Sequence, residues 1–191
     1  MAKAKTVPMK RKRKSRTDYH KRLTLLKSRE KRLVVRKSLK NIIVQIIDYA
    51  PEGDRVIASA DTRELEKYGY KHSKGNIVAA YLTGVLAGRK AKKNNVEKAV
   101  FDIGLQQSVK RSRLFAAVKG AVDSGLDVPA SEESFPPDER IRGDHIKSYA
   151  ENLKKDDTAY KKQFSAHLKN NIQPEKITES FEQTKNSIMK E

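Results

Sequence analysis

The chain has 191 residues and a formal net charge of +18, with 37% hydrophobic and 35% charged residues and no cysteine. That length holds one sizeable core if its apolar residues are concentrated. The missing cysteine excludes disulfides and thiolate metal sites, which fits a reducing compartment, and no stretch approaches the ~18 apolar residues of a membrane span.

The N-terminus is basic with no apolar run behind it, so it does not read as a secretory signal, and a soluble cytoplasmic protein is expected. The first 37 residues carry 16 Lys and Arg against Asp18 and Glu30, which is +14 of the total. The other 154 residues are nearly balanced, with 26 basic and 22 acidic groups. Residues 1–17 therefore read as a basic arm that cannot fold by burying apolar surface and orders on a polyanion. Its densest run is Lys10-Arg11-Lys12-Arg13-Lys14.

Asp18 is placed to cap a short helix running to about Ser28 through Leu23, Leu25 and Leu26. Arg32 and Arg36 enclose Leu33-Val34-Val35, and Asn41 to Tyr49 is a β-branched run of strand length. Ser38-Leu39-Lys40 suits the hairpin turn between them. After Pro51-Glu52-Gly53-Asp54 a third strand is expected from Arg55 to Ala60, completing an antiparallel meander. Between Asn76 and Lys92 the apolar spacing becomes helical, with Val78, Leu82, Val85 and Leu86 on one face. Ala79, Ala80, Gly84, Ala87 and Gly88 are expected to let this helix lie close on a sheet.

A short strand, Ala99 to Ile103, precedes a second helix from about Ser112 to Ser124 with Leu114, Phe115, Val118 and Val122 inward. Gly125 suits the C′ position, and Leu126 to Val128 reads as a last strand. The order β-β-β-α-β-α-β gives an α/β fold, a mixed sheet with helices packed on it, over residues 18–130. Residues 131–191 read as a loop and helical C-terminal extension. Its last helix follows Pro174, carries Ile177, Phe181 and Ile188, and packs on the domain or on a partner.

Chemistry-bearing constellations are few. Asp48 and Asp102 lie near strand ends and are the only candidates for a two-metal nuclease site, the alternative reading of such a sheet. His20, His72, His145 and His167 lack metal-ligand spacing. No phosphate loop ending in Lys-Ser/Thr precedes a helix, so no metal and no cofactor is expected. Two basic clusters stand out. Lys110, Arg111 and Arg113 open a helix where cations oppose its dipole, which suits a phosphate at that terminus. Arg29, Lys31, Arg32, Arg36, Lys37 and Lys40 flank the first strand beside the arm and suggest a continuous backbone-binding face. A plain polycation for anionic membranes would need no such folded edge.

Arg16-Thr17-Asp18-Tyr19, Lys21-Arg22-Leu23, Arg32 to Ser38 and Asn41 to Asp48 carry a resemblance. It continues through Ala79 to Gly84, Asp102-Ile103-Gly104-Leu105, Phe115 to Ala121, Phe135-Pro136 and Glu139 to Gly143. In this order, over about residues 14–190, the motifs resemble the universal large-subunit ribosomal protein L-eighteen family, the 5S-rRNA binders, in its archaeal form. One departure is Arg111, where the family usually has Gly; it adds a cation and changes the residue on which the local turn is built. The resemblance implies a ribonuclease-H-like motif topology without catalytic carboxylates and a structural, non-enzymatic role. Its partners would be 5S rRNA, the large-subunit rRNA and neighbouring ribosomal proteins, including the other 5S-rRNA binder, in the central protuberance. Neither a membrane nor self-association is expected. Carried over by position, the RNA contacts would be Lys10, Arg11, Lys12, Arg13, Lys14 and Arg16 in the arm, then Tyr19, His20, Lys21 and Arg22. Arg32, Arg36, Lys37, Ser38, Lys40 and Asn41 would follow at the first hairpin, and Lys110, Arg111 and Arg113 at the second helix start.

Overall fold

A computed structural model describes residues 6–190. Residues 1–5 of the expected arm and residue 191 of the extension lie outside the described residues. A four-residue helix, α1 (Lys10–Arg13), is wholly exposed. It leads to α2 (Tyr19–Leu26), whose N-cap Asp18 accepts from the N–H groups of His20 and Lys21 as the sequence predicts. The meander follows as β1 (Arg32–Lys37), β2 (Ile42–Asp48) and β3 (Arg55–Asp61). Ser38 fixes the first turn: its hydroxyl donates to the Asn41 carbonyl and accepts from the Asn41 N–H.

A 3-10 turn at Glu64–Tyr68, absent from the sequence reading, precedes α3 (Ile77–Lys93), which is capped by Asn76. Next come β4 (Val100–Asp102) and α4 (Arg113–Asp123). The strands form one mixed sheet in the order β3-β2-β1-β4. β1 is antiparallel to β2 and parallel to β4. The expected last strand, Leu126 to Val128, is only an isolated parallel bridge between Asp127 and Lys98. The left-handed Gly125 turns the chain (φ +92°) and Val128 ends one residue before Pro129, leaving no length for a ladder.

Alternation along the strands decides what each sheet face does. Leu33, Val35, Ile42, Val44, Ile46, Ala58 and Ala60 enter the core with α3 and α4. Arg32, Val34, Arg36, Gln45 and Ile47 fall on the opposite face. Two of the small residues of α3, Gly84 and Gly88, act differently from expectation. A Cβ at Gly84 would overlap the Ala117 carbonyl oxygen of α4, and one at Gly88 would overlap Ser124. They therefore admit the neighbouring helix rather than the sheet.

The chain continues through α5 (Asp138–Arg142), α6 (Asp144–Leu153), α7 (Asp157–Gln163), α8 (Ser165–Lys169) and α9 (Ile177–Lys190). Ile177, Phe181 and Ile188 of α9 join the main core, so α3 is buried from Val78 to Gly88. Phe164 gathers Tyr149, Tyr160 and His167 into an aromatic cluster that ties the short helices together. The exposed edge of β3 is capped by α3, where Lys90 donates to the Ser59 carbonyl and Asn94 to that of Ile57. No helix among the described residues is long and apolar enough to cross a membrane.

Candidate nucleic-acid interface

The arm and α2 lie over the second face of the sheet and leave a groove of about 340 Å³. Six cations line it: Arg11, Arg16, Lys21, Arg22, Arg32 and Arg36. Three carboxylates stand among them, Asp18, Asp54 and Asp102. Asp18 caps α2, and the other two build a chain of alternating charge. Arg22 pairs with Asp54 at 2.8 Å, and Asp54 with Arg32 at 2.7 Å. Arg32 pairs in turn with Asp102 at 2.8 Å, and Asp102 with Arg36 at 3.1 Å. The network joins α2, the β2–β3 turn, β1 and β4. Burial works against ionisation of Asp102, but Arg36, the Gly104 N–H and Arg32 outweigh it and hold the carboxyl below the usual range.

This geometry revises one expected contact. Arg32 is only 4% exposed and both ends of its guanidinium are held by carboxylates. A phosphate could reach it only by displacing these carboxylates, and Arg32 braces the groove from below. Arg36 differs: its side chain is 41% exposed while anchored to Asp102 and to the carbonyls of Val35 and Asp102. Its remaining surface faces the groove in a fixed orientation. Asp54 and Asp102 are thus the site residues that the sequence reading missed as supports. Arg32 and Arg36 stand four apart in a strand and so share a face, and cations on a covered sheet face require counter-charges. That requirement was the available signal.

The other expected residues fall in three places. Lys10, Arg11, Lys12, Arg13, Lys14 and Arg16 are exposed along the arm, with Arg11 donating to the Thr17 hydroxyl at 2.8 Å. On α2, His20 and Lys21 are exposed, Tyr19 is half-buried and Arg22 is held by Asp54. Lys37, Ser38 and Lys40 are exposed at the hairpin tip, and Asn41 is half-buried beside it.

The start of α4 is not part of the groove. Lys110 pairs with Glu133 at 3.1 Å, and the half-buried Arg113 donates to the Gly75 carbonyl at 2.6 Å, behind the hairpin tip. Both are engaged within the chain, which removes the dipole conflict as an argument for a phosphate there. Arg111 is exposed and takes the left-handed conformation, φ +59°, with its N–H bonded to the Ser134 carbonyl. The turn that glycine would suit is therefore kept with an arginine in it.

The same geometry engages one of the two carboxylates of the nuclease reading. Asp102 is occupied by two arginines, and among the described residues no group of three His, Asp or Glu could hold a metal ion. A comparison with protein-family models supplies the remaining observation. The model described as ribosomal large subunit proteins 60S L5, and 50S L18 matches residues 3–98 and 90–131.

Proposed function

Since the chain belongs to this family of large-subunit ribosomal proteins, binders of 5S rRNA and not enzymes, we propose that it fastens 5S rRNA to the large rRNA in the central protuberance, the arm supplying affinity and the folded groove orientation. The observation that carries this reading is the groove itself, where the arm, α2 and β1 bring six cations together around an ion-pair chain completed by Asp54 and by Asp102 of β4. Arm cations neutralise phosphates and release counterions, an effect indifferent to sequence. Arg36, Lys21 and the hairpin residues Lys37, Ser38, Lys40 and Asn41 present donors in fixed geometry, which sets register and orientation.

In this reading residues 1–17 act as the arm, 18–130 as the rRNA-binding domain and 131–191 as an extension whose outer face meets ribosomal partners, the other 5S-rRNA binder among them. The sheet order, with β4 parallel to β1, supports a ribonuclease-H-like motif, and the quoted motifs support the archaeal branch of the family. The test is a salt-resolved competition between 5S rRNA and a transfer RNA, using the full chain and a version starting at Thr17. Truncation removes eight cations from Lys3 to Arg16 and is expected to lower the magnitude of the log-log salt slope by about 6–7, at ~0.7–0.9 per phosphate, while preference for 5S rRNA survives. Equal affinity of both forms for both RNAs refutes the division of labour.

A further inference from the structure

Beside the groove, between α2 and the end of β4, lies a second hollow of about 370 Å³ with a largely apolar lining. We propose that this slot receives a single unpaired nucleobase of the bound RNA, an inference that rests on the groove being the RNA-binding face. Three observations converge on it. First, α2 buries no residue, and its His20, Lys21, Thr24 and Leu25 form one side of the slot. Leu25 therefore keeps apolar surface open to the slot. Second, the slot walls are shaped in advance. Leu25 and Ile103 are half-buried along it, and the Phe101 ring is held in place by Phe115 in an edge-on contact at 5.6 Å.

Third, the slot is continuous with the cation groove, sharing Lys21, Leu25, Asp102 and Gly104. A ligand must therefore offer negative charge to the groove and a flat apolar body to the slot, one beside the other. A nucleotide meets both demands. A base in a duplex does not, because its faces are covered by its neighbours, so the occupant is unstacked. An apolar protein segment fits the slot alone, but it would have to be acidic as well to lie against Arg11, Arg16, Lys21 and Arg36. His20, exposed at the rim, offers an imidazole face to the base. The contact distinguishes unpaired from paired RNA. It adds selectivity that the phosphate contacts lack, and it tolerates different bases because each has a π-face.

The experiment probes the base edges and the backbone of 5S rRNA chemically, with the wild type, His20→Ala and Thr24→Leu. Both residues are exposed, so neither change threatens the fold, and circular dichroism confirms it. His20→Ala removes a wall of the slot and Thr24→Leu narrows it. The expected result is that the wild type shields one or a few unpaired bases. Both variants lose roughly 5- to 100-fold in affinity, the range of one base stack, at unchanged salt slope. The same base regains reactivity while the backbone footprint stays. Wild-type affinity and an unchanged base pattern in both variants overturn the slot and leave the groove standing. A wild type that leaves no backbone footprint and does not respond to arm truncation overturns the groove and the slot together.

Discussion

Asp102 shows how a carboxylate can serve a groove lined mainly by cations. It stands between Arg32 and Arg36 and is 6% exposed. Counting charge alone, Asp102→Asn should strengthen RNA binding. The geometry predicts the reverse, since the change leaves Arg32 buried with one charged partner and takes from Arg36 its ion pair, leaving it only two backbone carbonyls. Loss of about 3 kcal/mol of stability is expected from breaking such a buried pair, together with weaker 5S-rRNA binding measured under conditions where the variant stays folded. Tighter binding would refute the bracing role. Arg111 gives a smaller test. A non-glycine residue in the left-handed region costs roughly 1–2 kcal/mol, partly offset by the freer unfolded chain of glycine. Arg111→Gly should thus raise the unfolding free energy by up to about 1 kcal/mol, read as a raised urea midpoint, and a lowered midpoint would mean that the arginine side chain supports the turn.

At the level of elements, α3 and α4 approach closely through glycines. Besides Gly84 against Ala117, a Cβ at Gly120 of α4 would overlap the Tyr81 carbonyl oxygen of α3. Two facing glycines allow the helix backbones to approach to a separation that side chains would prevent. Gly84→Ala should therefore cost about 1–3 kcal/mol as overpacking, although alanine is the better helix former by roughly 1 kcal/mol. Chemical denaturation decides it: a stabilised variant would show that the helices can separate without loss. The sequence announced small residues on this helix but not their partner, because spacing places residues on a face and does not say which neighbour occupies that face. The broken helices α6 to α8 illustrate the same limit. The sequence reading gave this region as part of a helical extension, and the aromatic cluster around Phe164 explains how the short pieces hold together.

Over the whole molecule, the C-terminal helices are joined to the domain through His72, which is 4% exposed. Its Nε2 meets the Ser180 hydroxyl of α9 at 3.1 Å, and its Nδ1 has no hydrogen-bond partner. His167 from α8 and Tyr70 pack their rings 5.8 and 5.6 Å away. Burial first, and then the charge on His167, push the His72 imidazole down to about 4. The unfolded chain, with its histidine near 6.5, takes up the proton first as pH falls. The stability contributed by neutral His72 is thus complete above about pH 6.5 and is lost progressively down to about pH 4. Urea midpoints should fall through that window in the wild type and fall less in His72→Gln. Parallel profiles, or an imidazole titrating near 6.5 by NMR, would refute the assignment.

The sequence by itself determined the local chemistry. Charge density marked the arm, Asp18 and Asn76 marked two helix starts, and β-branched alternation marked three strands, because each depends on neighbours within one or two turns of chain. The ordered motifs carried the family, and with it the RNA partner. Tertiary structure alone decided which cations face solvent. Arg32 and Arg36 have the same residue type on the same strand face, yet one is buried between Asp54 and Asp102 and the other reaches into the groove. That difference is set by carboxylates 22 and 70 residues away from Arg32. A buried charge is stable only beside its counter-charge, and which residues become neighbours at that separation is a property of the fold.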